Sequence, residues 1–303
     1  MKSKNYLIGL FLLTNFISLF GQDYSAYYQL CTEASEQIYL KNYPAALEKF
    51  ELAFKDVPYV HTARYVEASK SAILAKKYDK AYTYICQLKK QGWSNDFLNK
   101  RMFRKFKKSD YYQKYKENIS SYEAIFNASI NKDYVRLIDS LHYIDQYILR
   151  DNKEYKGKYT IDPSKLTKDR KEMNQVNIDA LLELINEHGF PSEQRVGREA
   201  YDQATIILLH NLRLKKNIKH YPILLKAIKT GEFSPNHYAA IYEQYVLFEK
   251  GISFYTTLDM DLSEKKLAEI DANRKEIGLK PLKAFYIKNK GRTMKSKWGV
   301  FKK

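Results

Sequence analysis

The feature that most restricts this chain is a pattern that occurs twice. Tyr43, Ala46, Phe50 and Ala53 recur thirty-five residues on as Tyr78, Ala81, Ile85 and Leu88. Spacings of three and four put each set on one face of a helix. Small residues such as Ala46 and Ala81 let a neighbouring helix come close, and the bulky Phe50 and Ile85 fill the groove between helices. A second row at helical spacing precedes each copy: Leu30, Ala34 and Ile38, then Tyr65, Ala68, Ala72 and Ala75. Two rows per copy mean two helices per copy. Such units cannot bury their apolar faces alone, and stacks usually need about three of them, so neighbouring helices must complete this one.

The pattern resembles the tetratricopeptide repeat, whose second helix carries an aromatic, then Ala, a bulky residue and Ala, closed by Pro. Here Pro58 closes the first copy and Gly92-Trp93 follows the second. The repeat region is assigned to residues 22–122, with Asp96 to Tyr122 expected as one or two helices in a degenerate closing unit. The resemblance implies a concave face that binds a protein or peptide partner. The alternative is that the repeats dock against the rest of the chain.

Composition agrees with helices. Only 11 Gly and 7 Pro occur in 303 residues, too few for the tight turns of a sandwich or barrel. The expected fold is all-α: helical hairpins, then a second helical domain over residues 133–286, then a basic tail over 287–303. Gly251 to Leu258, rich in β-branched and aromatic residues, is the one segment that could form a short hairpin.

Residues 1–21 read as a signal peptide. Lys2 and Lys4 give a positive start, Tyr6 to Phe20 carries no charge, and Gly21 precedes a cut at Gln22. That run is shorter than the roughly 20 residues a spanning helix needs, and no later segment is apolar enough to cross a membrane. The expected location is periplasmic or secreted. Cys31 and Cys86 fall in separate helices and are expected as buried free thiols.

The formal net charge is +17, with two concentrations of it. One is Lys100 to Lys116, where Lys100, Arg101, Arg104, Lys105, Lys107, Lys108, Lys114 and Lys116 interleave with Phe103, Phe106, Tyr111, Tyr112 and Tyr115. The other, Lys283 to Lys303, has eight basic residues and no acidic one. Behind an export leader, an anionic envelope surface is a better expected partner than nucleic acid. The alternative is a set of solvated faces.

In the second half, Tyr134, Leu137, Ile138, Leu141, Ile144 and Ile148 share one helical face. Asp145 falls inside that arc and must find a partner or stay half-exposed. A helix expected to open at Gly197 carries a polar stripe of Glu199, Gln203, Ile206 and His210 on an otherwise apolar segment. Several residues in this half also resemble, in order and spacing, a widespread bacterial helical domain of unknown function. They are Asp145-Gln146 with Arg150, Asn174 and Asn177, Gly189-Phe190-Pro191, Val196-Gly197, His210, and Asp271, Arg274 and Gly278 to Leu282. The resemblance implies a fold and a polar cluster, and no reaction. Asn174 stands where that domain usually has Asp, and Gln244-Tyr245 where it has Asp-Arg. If those groups bind a ligand in that domain, this chain is expected to bind a different one or none.

No metal-ligand spacing, phosphate-cradling glycine loop or nucleophile elbow occurs, and no cofactor is expected. The candidate catalytic residues are His210, Asp145 and Glu199; the candidate ligand contacts are Arg150, Arg198, Gln203 and Asn177. A histidine can serve as general base, a carboxylate can orient it and an arginine can hold an anion. The competing reading is a buried polar network that fixes helix register. Two functions follow as expectations: an envelope binding or scaffold protein that uses its repeats, or an envelope hydrolase centred on His210.

Overall fold

A computed structural model describes residues 24–150, 170–255 and 263–282, with only the backbone described at 147–150 and 170–171. The expected leader, the basic tail and the end of the expected hairpin lie outside those residues. The described chain is helical, and no strand occurs among the described residues.

The two copies of the sequence pattern are two helical hairpins. Helices α1 (Ser25–Tyr39) and α2 (Tyr43–Lys55) form the first, α3 (Thr62–Leu74) and α4 (Tyr78–Lys90) the second. Their turns are the same turn. Lys41 and Lys76, thirty-five residues apart, both take a left-handed φ, 59° and 60°. In each, three amides close the helix in the same pattern: Leu40, Lys41 and Asn42 bond the Glu36, Ile38 and Gln37 carbonyls, as Ala75, Lys76 and Lys77 bond those of Ser71, Ile73 and Ala72. Ala46, Phe50, Ala53, Ala81 and Ile85 are at most 2% exposed, as their packing role requires, while Tyr43 and Tyr78 are half-buried.

Asn95 to Lys108 departs from the expected helix. It forms three short 3-10 turns, Asn95–Asn99, Arg101–Arg104 and Phe106–Lys108. Phe103 and Phe106, both fully buried and three residues apart, lie one above the other in such turns and anchor the segment to the core. The regular helices α5 (Asp110–Glu117) and α6 (Ile119–Ser129) follow.

The second half contains α7 (Lys132–Arg150), α8 (Arg170–His188), α9 (Glu193–Leu212), α10 (Tyr221–Lys229), α11 (Pro235–Lys250) and α12 (Glu264–Glu276). Ser192, Ser234 and Ser263 cap α9, α11 and α12 by accepting amide hydrogens of Arg195, Asn236 and Lys266. Helix α9 is two helical pieces joined at Gly197, whose φ of 76° and ψ of 168° are not helical. A helix does open there, behind a short turn that begins at Glu193. The ring of Phe126 packs so closely on Gly197 that a Cβ would meet it at 2.9 Å. Gly251 to Tyr255 does not form a strand. Its amides at Phe254 and Tyr255 are instead held by the buried Glu243 carboxylate at 3.0 and 2.6 Å.

The buried apolar side chains form one cluster that runs from Tyr24 to Leu279. One face of α1 supplies the joint. The amide of Tyr24 donates to Lys229 O at 3.0 Å, and the hydroxyl of Tyr28 lies 3.2 Å from the carbonyls of Ile228 and Phe233. Thr32, on the same row, reaches Gly278 O. The repeats therefore dock their first helix onto the second half. No helix among the described residues is long and apolar enough to cross a membrane.

Candidate functional site

Helices α7 and α9 run side by side in the same direction. The amide of Asn131, just ahead of α7, donates to Arg195 O at 2.8 Å near the start of α9. Fourteen residues along one helix and fifteen along the other, Asp145 and His210 meet, with His210 Nδ1 2.7 Å from Asp145 Oδ2. Asp145 lies in the apolar arc of α7 between fully buried Tyr134 and Ile138 and is itself 0% exposed. A carboxylate so placed requires donors, and it has two: His210 and the Gln146 side-chain amide at 3.0 Å. For a neutral imidazole to donate to Asp145, its proton must sit on Nδ1, which leaves Nε2 as an acceptor. The His210 side chain is 26% exposed, so the pair is a buried carboxylate behind a partly open ring.

Helix α8 completes the surroundings. Asn177, 1% exposed, donates to Leu141 O at 3.1 Å, one turn before Asp145. Three acceptor oxygens of the expected site residues are buried with no hydrogen-bond partner: Asp145 Oδ1, Asn177 Oδ1 and Gln203 Oε1. Oxygens of this kind are costly to leave unmet. The other expected residues stand apart. Glu199 is exposed. The side chain of Arg150 lies outside the described residues. Arg198 belongs to a different cluster.

That second cluster sits where the repeats meet α9, and sequence reasoning missed most of it. Glu193, with a side chain 2% exposed, accepts from Thr62 N at 2.9 Å, Thr62 Oγ1 at 3.0 Å and Arg198 at 2.8 Å. Arg198 also pairs with Asp202 at 2.6 Å. Burial would raise the Glu193 carboxyl, but His61, Arg198 and the Thr62 donors outweigh it and hold the pKa below the ordinary value. Burial pulls the His61 pKa below its ordinary value, against the opposing charge of Glu193. His237, bonded through Nδ1 to Tyr201 at 3.0 Å, is pulled down to about 4 by burial and by Arg198. These groups surround a pocket of about 130 Å³ lined by Tyr28, His61, Arg64, Glu193, Arg198 and His237. No local spacing announces this cluster, since Thr62 and Glu193 are 131 residues apart.

Every charge in the junction cluster has a partner from the chain itself, which is what a structural tie requires. The Asp145–His210 pair differs, because an open ring and unmet acceptors remain. Among the described residues, no group of three or more His, Cys, Asp or Glu is placed to hold a metal ion. Both cysteines are buried and free. No protein-family model, no curated protein and no solved structure matches the chain.

Proposed function

We propose that the chain carries an acid–base site at His210 and acts as a hydrolase on a substrate that presents N–H or O–H donors. The observation that carries this reading is the 2.7 Å contact between His210 Nδ1 and a fully buried Asp145 behind a partly exposed ring. In the mechanism, Nε2 takes the proton of an attacking water as its oxygen bonds to the electrophilic centre. The imidazolium that forms is stabilised by Asp145, then returns the proton to the leaving group. Asp145 keeps its own charge throughout. The unmet oxygens of Asp145, Asn177 and Gln203 supply the reason to expect donors on the substrate.

In the same reading this activity lies outside the cytoplasm, which the pattern of Lys2, Lys4 and residues 6–20 supports. The repeats then serve as a docking element. What weighs against them as a recognition surface is the face of α1, where Tyr24, Tyr28 and Thr32 are already covered by the second half. The test is turnover of a panel of chromogenic ester, amide, phosphoester and glycoside probes by the purified chain, His210→Ala and Asp145→Asn. Both variants should lose about 10²–10⁴-fold in kcat/KM on whichever probe is turned over. No turnover of any probe, or equal turnover by His210→Ala, would overturn the reading.

A further inference from the structure

The 3-10 segment after α4 sorts its residues in a way an α-helix could not. In a 3-10 turn, side chains three apart lie one above the other. Phe103 and Phe106 are both 0% exposed and anchor the segment to the core. Arg101, Arg104 and Lys107, also three apart, are stacked on another face. Lys100 joins them where the backbone is extended, with φ −66° and ψ 142°. Together with Leu98 and Asn99, these four cations line a concavity of about 240 Å³.

Among the described residues, no acidic side chain lines it. Lys107 donates to Asn99 Oδ1 at 2.9 Å, and none of Lys100, Arg101 and Arg104 pairs with a carboxylate among the described residues. Some cations elsewhere in the chain do have carboxylate partners, such as Lys49 with Glu33, Arg64 with Glu67 and Arg136 with Asp133. Four like charges held around one hollow by buried phenylalanines repel one another unless an anion lies between them.

We propose that this concavity binds a phosphoryl group. Two guanidinium groups and two ammonium groups suit a centre with several charged oxygens, and arginine meets such oxygens two at a time. A hollow of about 240 Å³ takes a phosphoryl group together with part of what carries it. A nucleic-acid strand fits less well. Such strands are held by exposed aromatic rings, whereas Phe103 and Phe106 are buried, and Tyr111 and Tyr112 lie under Lys114 and Lys116. The phosphoryl group therefore belongs to a free phosphate compound or to a phospholipid headgroup. This site is independent of the His210 pair.

Two probes separate the sources: inorganic pyrophosphate by calorimetry, and co-sedimentation with phosphatidylcholine vesicles with and without phosphatidylglycerol. The full chain should bind pyrophosphate, if the ligand is a free phosphate compound, or only the phosphatidylglycerol vesicles, if it is a headgroup. Arg101→Ala/Arg104→Ala should lose about tenfold or more in affinity for the probe that binds. Both side chains are exposed, so the melting temperature should not change. Arg101→Lys/Arg104→Lys should lose less, because charge remains without the paired geometry. Lys114→Ala/Lys116→Ala, which removes equal charge elsewhere, should bind as the parent. Binding of neither probe, an unaffected arginine variant, or an equal loss in the Lys114/Lys116 variant would overturn the proposal. Retention of single-stranded DNA without either probe would do the same.

Discussion

Replacing Glu193 tests how the two halves are joined. Its carboxylate takes donors from both sides of the junction: the amide and hydroxyl of Thr62 from the repeats, and the guanidinium of Arg198 from α9. Glu193→Ala leaves the buried Thr62 amide without its acceptor and strips Arg198 of its most buried partner. Breaking a buried ion pair by removing one member costs about 3–5 kcal/mol. Asp202 still holds Arg198, so the lower end of that range is expected here. Glu193→Gln keeps an acceptor oxygen for Thr62 but loses the charge, and should cost about 1–3 kcal/mol. Urea unfolding followed by circular dichroism reads both, and an unchanged urea dependence would show that the native state lost the energy. A loss below about 1 kcal/mol for Glu193→Ala would refute the tie, as would a glutamine variant that costs as much as alanine.

Three further outcomes follow from the same packing. The unfolded chain protonates His237 below its ordinary value of about 6.5, whereas the folded protein refuses the proton until about 4. Stability should therefore fall by about 3 kcal/mol as pH drops through that window, and His237→Gln should flatten the slope in urea titrations at successive pH values; an unchanged slope would contradict the assignment. Phe50→Ala and Ile85→Ala, at equivalent places in the two hairpins, should each cost about 2–5 kcal/mol in the same assay, and a loss under about 1 kcal/mol in either would break the equivalence. Gly231→Ala should lower stability by about 2 kcal/mol or more, because φ is +74° and the new Cβ would run into the Tyr24 ring; no loss would mean that α1 does not dock there.

The repeats were legible because helix packing writes a short, local code. Ala46 and Phe50, or Ala81 and Ile85, must be small and large in that order, and the order is visible in one dimension. Asp145 was legible for a related reason: at about 100° per residue its direction falls within an apolar arc, and the stripe on α9 marked His210 as its counterpart. The same stripe carried Glu199 too far, since spacing says which face a residue takes and not how far neighbouring helices cover it. The 3-10 segment was missed because a dense run of Lys and Phe satisfies several helical periods at once. Gly251 to Tyr255 looked like a strand because rings favour strands, yet Phe254 and Tyr255 are there to pack against Tyr242. The Glu193 cluster had no local signature at all. Thr62 and Glu193 are far apart in the sequence, and only the docking of the repeats onto the second half brings them together.

The claim that Asp145 orients His210 for proton transfer turns on which ring nitrogen carries the proton. A long-range proton–nitrogen NMR spectrum of the full chain, at a pH where the ring is neutral, reads this directly, with His210→Ala assigning the signals. The geometry predicts protonated Nδ1 and bare Nε2, and Asp145→Asn should disturb that tautomer, since an amide can offer its nitrogen as a donor. A ring protonated at Nε2 in the parent, or a tautomer indifferent to Asp145→Asn, would contradict the account.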